Sequence, residues 1–220
     1  MAYYYNNTPR GGGFLSNAPT VTRNLIIVNI VVFLATWIGE RLLHSEVLFA
    51  LFSLFPYESP FFHWWQPFTY MYLHGGFFHI LFNMYTLYIF GCTVENIIGP
   101  RKFFTFYTIC GLGAAGLQML VQHLTHDMTP AVGASGSIYG VLIAFAMLFP
   151  ESKLTLLFPP VTLSAKWMVV IFAVIELFCG LSGTAVSVAH FAHLGGMLVG
   201  WLLILLWRKR GVLFDKEIWI

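Results

Sequence analysis

Gly133-Ala134-Ser135-Gly136-Ser137-Ile138-Tyr139-Gly140 places a serine between small residues, where the polar loop His123 to Pro130 gives way to an apolar run. A serine at that junction heads a helix, where free backbone N–H groups and the helix dipole favour negative charge. The run from Ser135 to Phe149, ended by Pro150, is about 15 residues, roughly 22 Å of helix. A full bilayer crossing needs about 30 Å. The helix is therefore expected to start below the membrane surface, with Ala131 to Ala134 dipping in as non-helical backbone to meet it. Irregular backbone at such depth is tolerated only where it is buried in protein or lines water. A wet cavity is implied, with Ser135 on its wall.

The bilayer itself follows from composition. Of 220 residues, 58% are hydrophobic and only 9% are charged. Soluble domains carry about 25% charged residues. The net charge of +2 is small and gives no reason to expect nucleic acid as a partner. Arg208-Lys209-Arg210, the one dense basic run, sits where an apolar stretch ends and reads as a membrane anchor. Cys92, Cys110 and Cys179 all fall in apolar segments. An odd, scattered set argues against a disulfide framework and for packing roles. Residues 1–18 are rich in Tyr, Asn, Gly and Pro with no apolar core, so no cleavable signal is expected and the first span acts as its own insertion signal.

Taken in order, residues 1–22 read as a short cytoplasmic tail, residues 23–210 as the membrane domain and residues 211–220 as a second short tail. Span one is expected over Leu25–Gly39. Pro56, Pro60 and Pro67 then interrupt a stretch dense in aromatics, Phe61-Phe62-His63-Trp64-Trp65. Such residues prefer the headgroup level, so Leu42–Phe68 reads as a long interfacial loop with short helical pieces. Span two is expected over Phe77–Ile97, span three from Arg101-Lys102 to Gln122, and span four over Ser135–Phe149. Span five follows over Trp167–Leu181 and span six over His190–Trp207. The fold class is thus an all-α polytopic membrane protein with six spans.

Basic residues orient it. With both termini cytoplasmic, the inside segments hold Arg10, Arg23, Arg101, Lys102, Lys153, Lys166, Arg208, Lys209, Arg210 and Lys216, and the outside segments hold only Arg41. Spans two, four and six then run from outside to inside. His79 and Asn83 lie early in span two, Ser135 begins span four, and His193 lies early in span six. Residues far apart in sequence converge on one depth, and polar side chains within spans are costly and usually functional.

These residue types suit acyl transfer. A serine hydroxyl is a weak nucleophile until a base takes its proton. His193 is the natural base, since a neutral imidazole suits proton transfer at a site working near pH 7. No carboxylate has an obvious place as a third member. Glu176, midway along span five, is the nearest, but it belongs to a different helix, so a Ser135–His193 dyad is expected. Tyr139 falls four residues after Ser135 on one helix face and is expected to support the imidazole. His79 and Asn83, also four apart, are expected to join the Ser135 backbone N–H as oxyanion donors. His193, Gly196 and Gly200 make one stripe of span six, and Gly136 and Gly140 a small-xxx-small pair on span four. Such stripes let membrane helices approach closely.

Blander readings exist for each residue. Ser135 can merely cap a helix, His193 can make an interhelical hydrogen bond, and His79 with Asn83 can clamp two helices. Glu176 can be a protonated glutamate bonded to a neighbouring helix, or a proton relay in a small transporter. Glu95, near the inner end of span two, is expected to tie down the turn before Arg101. His74, His123, His126 and His190 raise a metal reading, but no His-Glu-x-x-His helix is present. Neither a metal nor a cofactor is expected.

The pieces His74-Gly75-Gly76-Phe77-Phe78-His79-Ile80-Leu81-Phe82-Asn83, Gly133-Ala134-Ser135-Gly136, and Ala192-His193-Leu194-Gly195-Gly196 with Gly200 jointly resemble the rhomboid intramembrane serine proteases in their basic bacterial six-span form. The resemblance implies a rhomboid-like bundle with a membrane-embedded first loop, and Ser135 and His193 as catalytic dyad. It implies His79, Asn83 and Ser135 around the oxyanion, Tyr139 packed on His193, and Gly133 in the motif before the nucleophile. The implied substrates are single-span membrane proteins, cut near their outer end at small residues. The gate would be span five and its following loop, Trp167–Ala189. The implied location is a bacterial plasma membrane. Some members carry Trp-Arg in the first loop where this chain has Trp65-Gln66, so an arginine network is not carried over. The rival readings are a catalytically silent binder of membrane proteins and a small transporter using Glu176.

Overall fold

The computed structural model describes residues 14–156, 160–183 and 189–213. Most of the two expected tails, and residues 184–188 of the expected gate loop, lie outside the described residues. Among the described residues, five helices are long and apolar enough to cross a bilayer: Thr20–Leu42, Phe77–Ile98, Pro100–Thr125, Ala165–Ser182 and His190–Lys209. A shorter apolar helix, Ser135–Leu148, has 14 residues. In chain order these are spans one to six, with Ser135–Leu148 as span four. Their outward faces carry exposed Ile27, Val31, Trp37, Phe78, Val174, Phe178 and Leu202. An apolar girdle of that extent suits lipid rather than water. The protein is an all-α integral membrane bundle.

Span six packs most extensively on spans three and four. The core between them is filled by Phe103, Phe106, Tyr107, Val141 and Ile204, all fully buried or nearly so. Close approach comes from missing side chains. A Cβ at Gly196 would stand 1.8 Å from the Gly136 carbonyl oxygen, and one at Gly200 would stand 3.0 Å from Gly140 Cα. The glycine stripes thus bring the backbones of spans four and six into contact. At the other end Arg208 Nη2 donates to the Met147 carbonyl at 2.5 Å, meeting one of the orphan carbonyls that close span four.

Span one begins at Thr20, earlier than hydropathy places it. Its polar first turn is held by Glu95. The Glu95 carboxylate accepts from Val21 N at 2.9 Å, Thr22 N at 2.7 Å and Thr22 Oγ1 at 2.7 Å. Glu95 therefore does not tie down the turn before Arg101. It caps another span, because a carboxylate is best placed against free N–H groups at a helix start. Span two carries a π-type turn at Leu87–Gly91, which no local sequence signal announces. Between spans four and five, Lys153–Thr155 pairs antiparallel with Thr162–Ser164, where the sequence reading has only a connection.

The first loop contains the short helices Val47–Phe52 and Gln66–Thr69 and a 3-10 turn at Tyr70–Tyr72. Gln66, which follows Trp65 in this loop, is fully buried. Its Nε2 donates to the Phe61 carbonyl at 2.8 Å and the Leu51 carbonyl at 3.3 Å, and its Oε1 accepts from Phe55 N at 3.3 Å. An amide that both donates and accepts thus ties the loop to itself. His123 at the end of span three bonds Glu58 and, at 2.8 Å, the Tyr57 hydroxyl, fastening the loop to the bundle.

Candidate active site

Residues 131–134 reach span four as irregular backbone, and the first loop pairs with them at Ala131 and Gly133. Leu54 and Ala131 exchange two N–H···O bonds at 2.9 Å, and Gly133 N donates to the Tyr70 carbonyl at 3.0 Å. This pairing holds the head of span four in place. Gly133 has φ +131°, a backbone conformation open mainly to glycine. A side chain there would also collide: its Cβ would lie 2.8 Å from His79 Nε2 and 3.5 Å from Ser135 Oγ. Gly133 thus keeps clear a point flanked by the serine hydroxyl and the His79 ring.

Ser135 is the first residue of span four, and His193 lies one turn into span six, buried. His193 Nε2 and Ser135 Oγ are 2.7 Å apart. The Tyr139 ring stacks on the His193 ring with centroids 4.3 Å apart and planes 13° apart. His79 Nδ1 accepts from Gly75 N at 3.3 Å. That bond leaves the His79 proton on Nε2, the nitrogen facing Gly133. Asn83 Nδ2 donates one hydrogen to the His79 carbonyl at 2.8 Å, so one amide hydrogen remains for a ligand. Ser135, His193, Tyr139, His79 and Asn83 all line one cavity of about 1260 Å³. It runs between spans two and five, from the 127–132 loop to the ribbon residues 154–156, with Phe82 and Phe172 on its flanks.

Beside the expected Ser135–His193 pair stands Glu176, which the sequence left without a place. Its carboxylate is buried and sits against the site. Glu176 Oε1 lies 3.0 Å from His193 Nδ1, at ion-pair distance though off the ring N–H axis. The Tyr139 hydroxyl donates to the same oxygen, and His190 Nδ1 is 2.6 Å from Oε2. Span five therefore delivers a carboxylate to a histidine on span six. The available signals were a single carboxylate in an otherwise apolar span and the i, i+3 spacing of His190 and His193, which puts both rings on one helix face. Of the other histidines weighed for a metal, His123 is occupied with Glu58 and Tyr57, and His74 packs edge-on against His79 at 5.0 Å. Glu176, His190 and His193 bring donor atoms within 4.8 Å of one another. Both Glu176 oxygens are engaged by protein donors, so the group reads as a hydrogen-bonded network.

Residues 62–210 match the family model described as Rhomboid domain. The chain belongs to the rhomboid family. The rhomboid match takes in every residue of the cavity wall named above. Presenilin-associated rhomboid-like protein A, mitochondrial, of Danio rerio is 32% identical over 143 residues, covering 62% of this chain and 37% of the relative. Rhomboid protein 1, mitochondrial, of Saccharomyces cerevisiae is 31% identical over 129 residues, 58% of this chain and 37% of the relative. RHOMBOID-like protein 1 of Arabidopsis thaliana is 33% identical over 141 residues, 63% of this chain and 33% of the relative. The matched stretches thus span about a third of the length of these rhomboid relatives.

Proposed function

We propose that this chain is an intramembrane serine endopeptidase acting on single-span membrane proteins. The observation that carries the reading is the 2.7 Å approach of Ser135 Oγ to His193 Nε2 on the wall of the cavity. In this reading His193 Nε2 takes the hydroxyl proton as Oγ attacks the scissile carbonyl carbon. The oxyanion of the tetrahedral intermediate lies at the point Gly133 keeps clear, facing His79 Nε2, the free Asn83 amide hydrogen and the Ser135 N–H. Protonated His193 gives its proton to the leaving amine, and an ester on Ser135 remains. Water, deprotonated by the same ring, then hydrolyses the ester. Tyr139 holds the ring plane, and Gly136, Gly196 and Gly200 keep the two helices near enough for the transfer.

The cavity's extent supports the substrate class, because a groove along the bundle between spans two and five accepts an extended or unwound helix end sideways from lipid. The protease unit is residues 23–210. The ten-to-one distribution of basic residues supports cytoplasmic termini, with the site toward the outer side of the membrane. The membrane named in two of the relatives above is mitochondrial, and reconstitution does not depend on which membrane is native. The test is cleavage of a model single-span substrate by purified protein in liposomes. Wild type is expected to cut it and to be labelled by a serine-directed fluorophosphonate, and Ser135→Ala to do neither. Cleavage at the wild-type rate by Ser135→Ala would remove the assigned nucleophile.

A further inference from the structure

We propose that Glu176 is a positioning residue for His193, a carboxylate set behind the Ser135–His193 pair. The inference rests on the nucleophile reading above. For His193 Nε2 to accept the Ser135 proton, the ring's own proton must sit on Nδ1. The Nδ1 atom lies 3.0 Å from Glu176 Oε1, off the ring N–H axis, so the carboxylate acts on the ring through its charge. An ionised carboxylate only accepts, so it stabilises the tautomer with Nδ1–H and disfavours the one that blocks Nε2. It would also stabilise the imidazolium formed during attack.

Glu176 is itself held in place. The Tyr139 hydroxyl donates to Oε1 and His190 Nδ1 to Oε2, the latter at 2.6 Å. The phenol that clamps the carboxylate belongs to the ring stacked on His193, so one tyrosine positions both partners. Buried carboxylates in spans are costly unless paired. Among the described residues, the hydrogen-bond partners of Glu176 are Tyr139, stacked on His193, and His190, whose ring stands edge-on to it at 6.5 Å.

A purely structural role would be a tie between spans five, four and six. Glu176→Gln separates the two. Its amide keeps the shape and can still accept from Tyr139 or His190, so a tie survives. But it carries no charge, so with either end of the amide beside His193 it no longer stabilises the imidazolium formed during attack, and with its nitrogen there it favours the proton on Nε2, the tautomer that cannot take the Ser135 proton. We expect Glu176→Gln in liposomes to keep its thermal unfolding midpoint, hold KM within about twofold, and lose kcat on the order of 100-fold, less than the roughly 10⁴-fold known for a well-aligned triad. Tyr139→Phe, which keeps the stacked ring, is expected to lose a smaller part of the same kcat, with the double variant no worse than Glu176→Gln alone.

A second measurement needs no stable variant at Glu176. In ¹⁵N-histidine-labelled wild type at the pH of full activity, the His193 signal, identified by its absence in His193→Ala, is expected to report the proton on Nδ1. Wild-type kcat in Glu176→Gln, with Ser135→Ala inactive, would overturn the positioning role and leave the nucleophile standing. A resting proton on Nε2 of wild-type His193 would overturn it equally. Cleavage by Ser135→Ala would sink the nucleophile reading and this inference with it.

Discussion

Gly196 and His74 show what a single position contributes. At Gly196 an added Cβ would meet the Gly136 backbone at 1.8 Å, and backbone cannot swing aside as a side chain can. Overpacking of this kind costs about 1–3 kcal/mol. Gly196→Ala is expected to lower the thermal unfolding midpoint and, by parting spans four and six, to slow fluorophosphonate labelling of Ser135 at least tenfold, read by in-gel fluorescence. His74 sits outside the spans at the end of the first loop, buried against His79. Burial, and then the neighbouring His79, push it down to about 3. A free histidine titrates near 6.5, so between those values the unfolded chain takes a proton that the folded chain refuses. Its contribution to stability is full above pH ~6.5 and is lost progressively as pH falls toward 3. Unfolding midpoints at pH 7.5 and pH 5 are expected to differ more in wild type than in His74→Phe.

Elements in this chain are closed by residues from elsewhere. Span one has no side-chain cap of its own, and Glu95 of span two provides three hydrogen bonds at its first turn. Charged hydrogen bonds of this kind are worth about 1.5–3 kcal/mol each at most, and part of the sum is repaid by water when the cap is lost. Glu95→Gln is expected to destabilise the protein by about 2 kcal/mol, with kcat unchanged below the unfolding midpoint. Urea unfolding in mild detergent, followed by tryptophan fluorescence, measures it. The first loop works similarly. It closes on Gln66 within itself and on Ala131 and Gly133 across the bundle. The loop therefore carries the entrance to span four and positions Ser135 without touching it.

The whole molecule is a bundle whose middle is tight and whose side is open. Spans three, four and six share glycine-mediated contacts, while a groove of about 1260 Å³ separates span two from span five. The glycines hold Ser135 and His193 together and leave the groove open at the side. Orientation belongs to this scale as well. Asp127 lies in the loop before span four and Lys153 in the ribbon after it, at opposite ends of a short span. In cysteine-free protein in sealed vesicles, an impermeant maleimide is expected to label Asp127→Cys from outside. Lys153→Cys is expected to react only after permeabilisation.

The sequence alone determined the membrane class, the bundle of apolar helices, the shortness of span four and the shared level of Ser135, His193, His79 and Asn83. All of these are properties along a helix axis, and hydropathy together with residue count reports position along an axis. It could not determine what lies across from what. Glu95 capping span one, Gln66 closing the first loop, and Glu176 reaching His193 each depend on which face of one helix meets another. Between Trp167 and Leu181 span five is apolar all round apart from Glu176, so its apolar residues give no phase. The facing was decided by packing, where the absence of side chains at Gly136, Gly140, Gly196 and Gly200 lets the backbones of spans four and six meet and leaves span five to lean its one carboxylate over the pair.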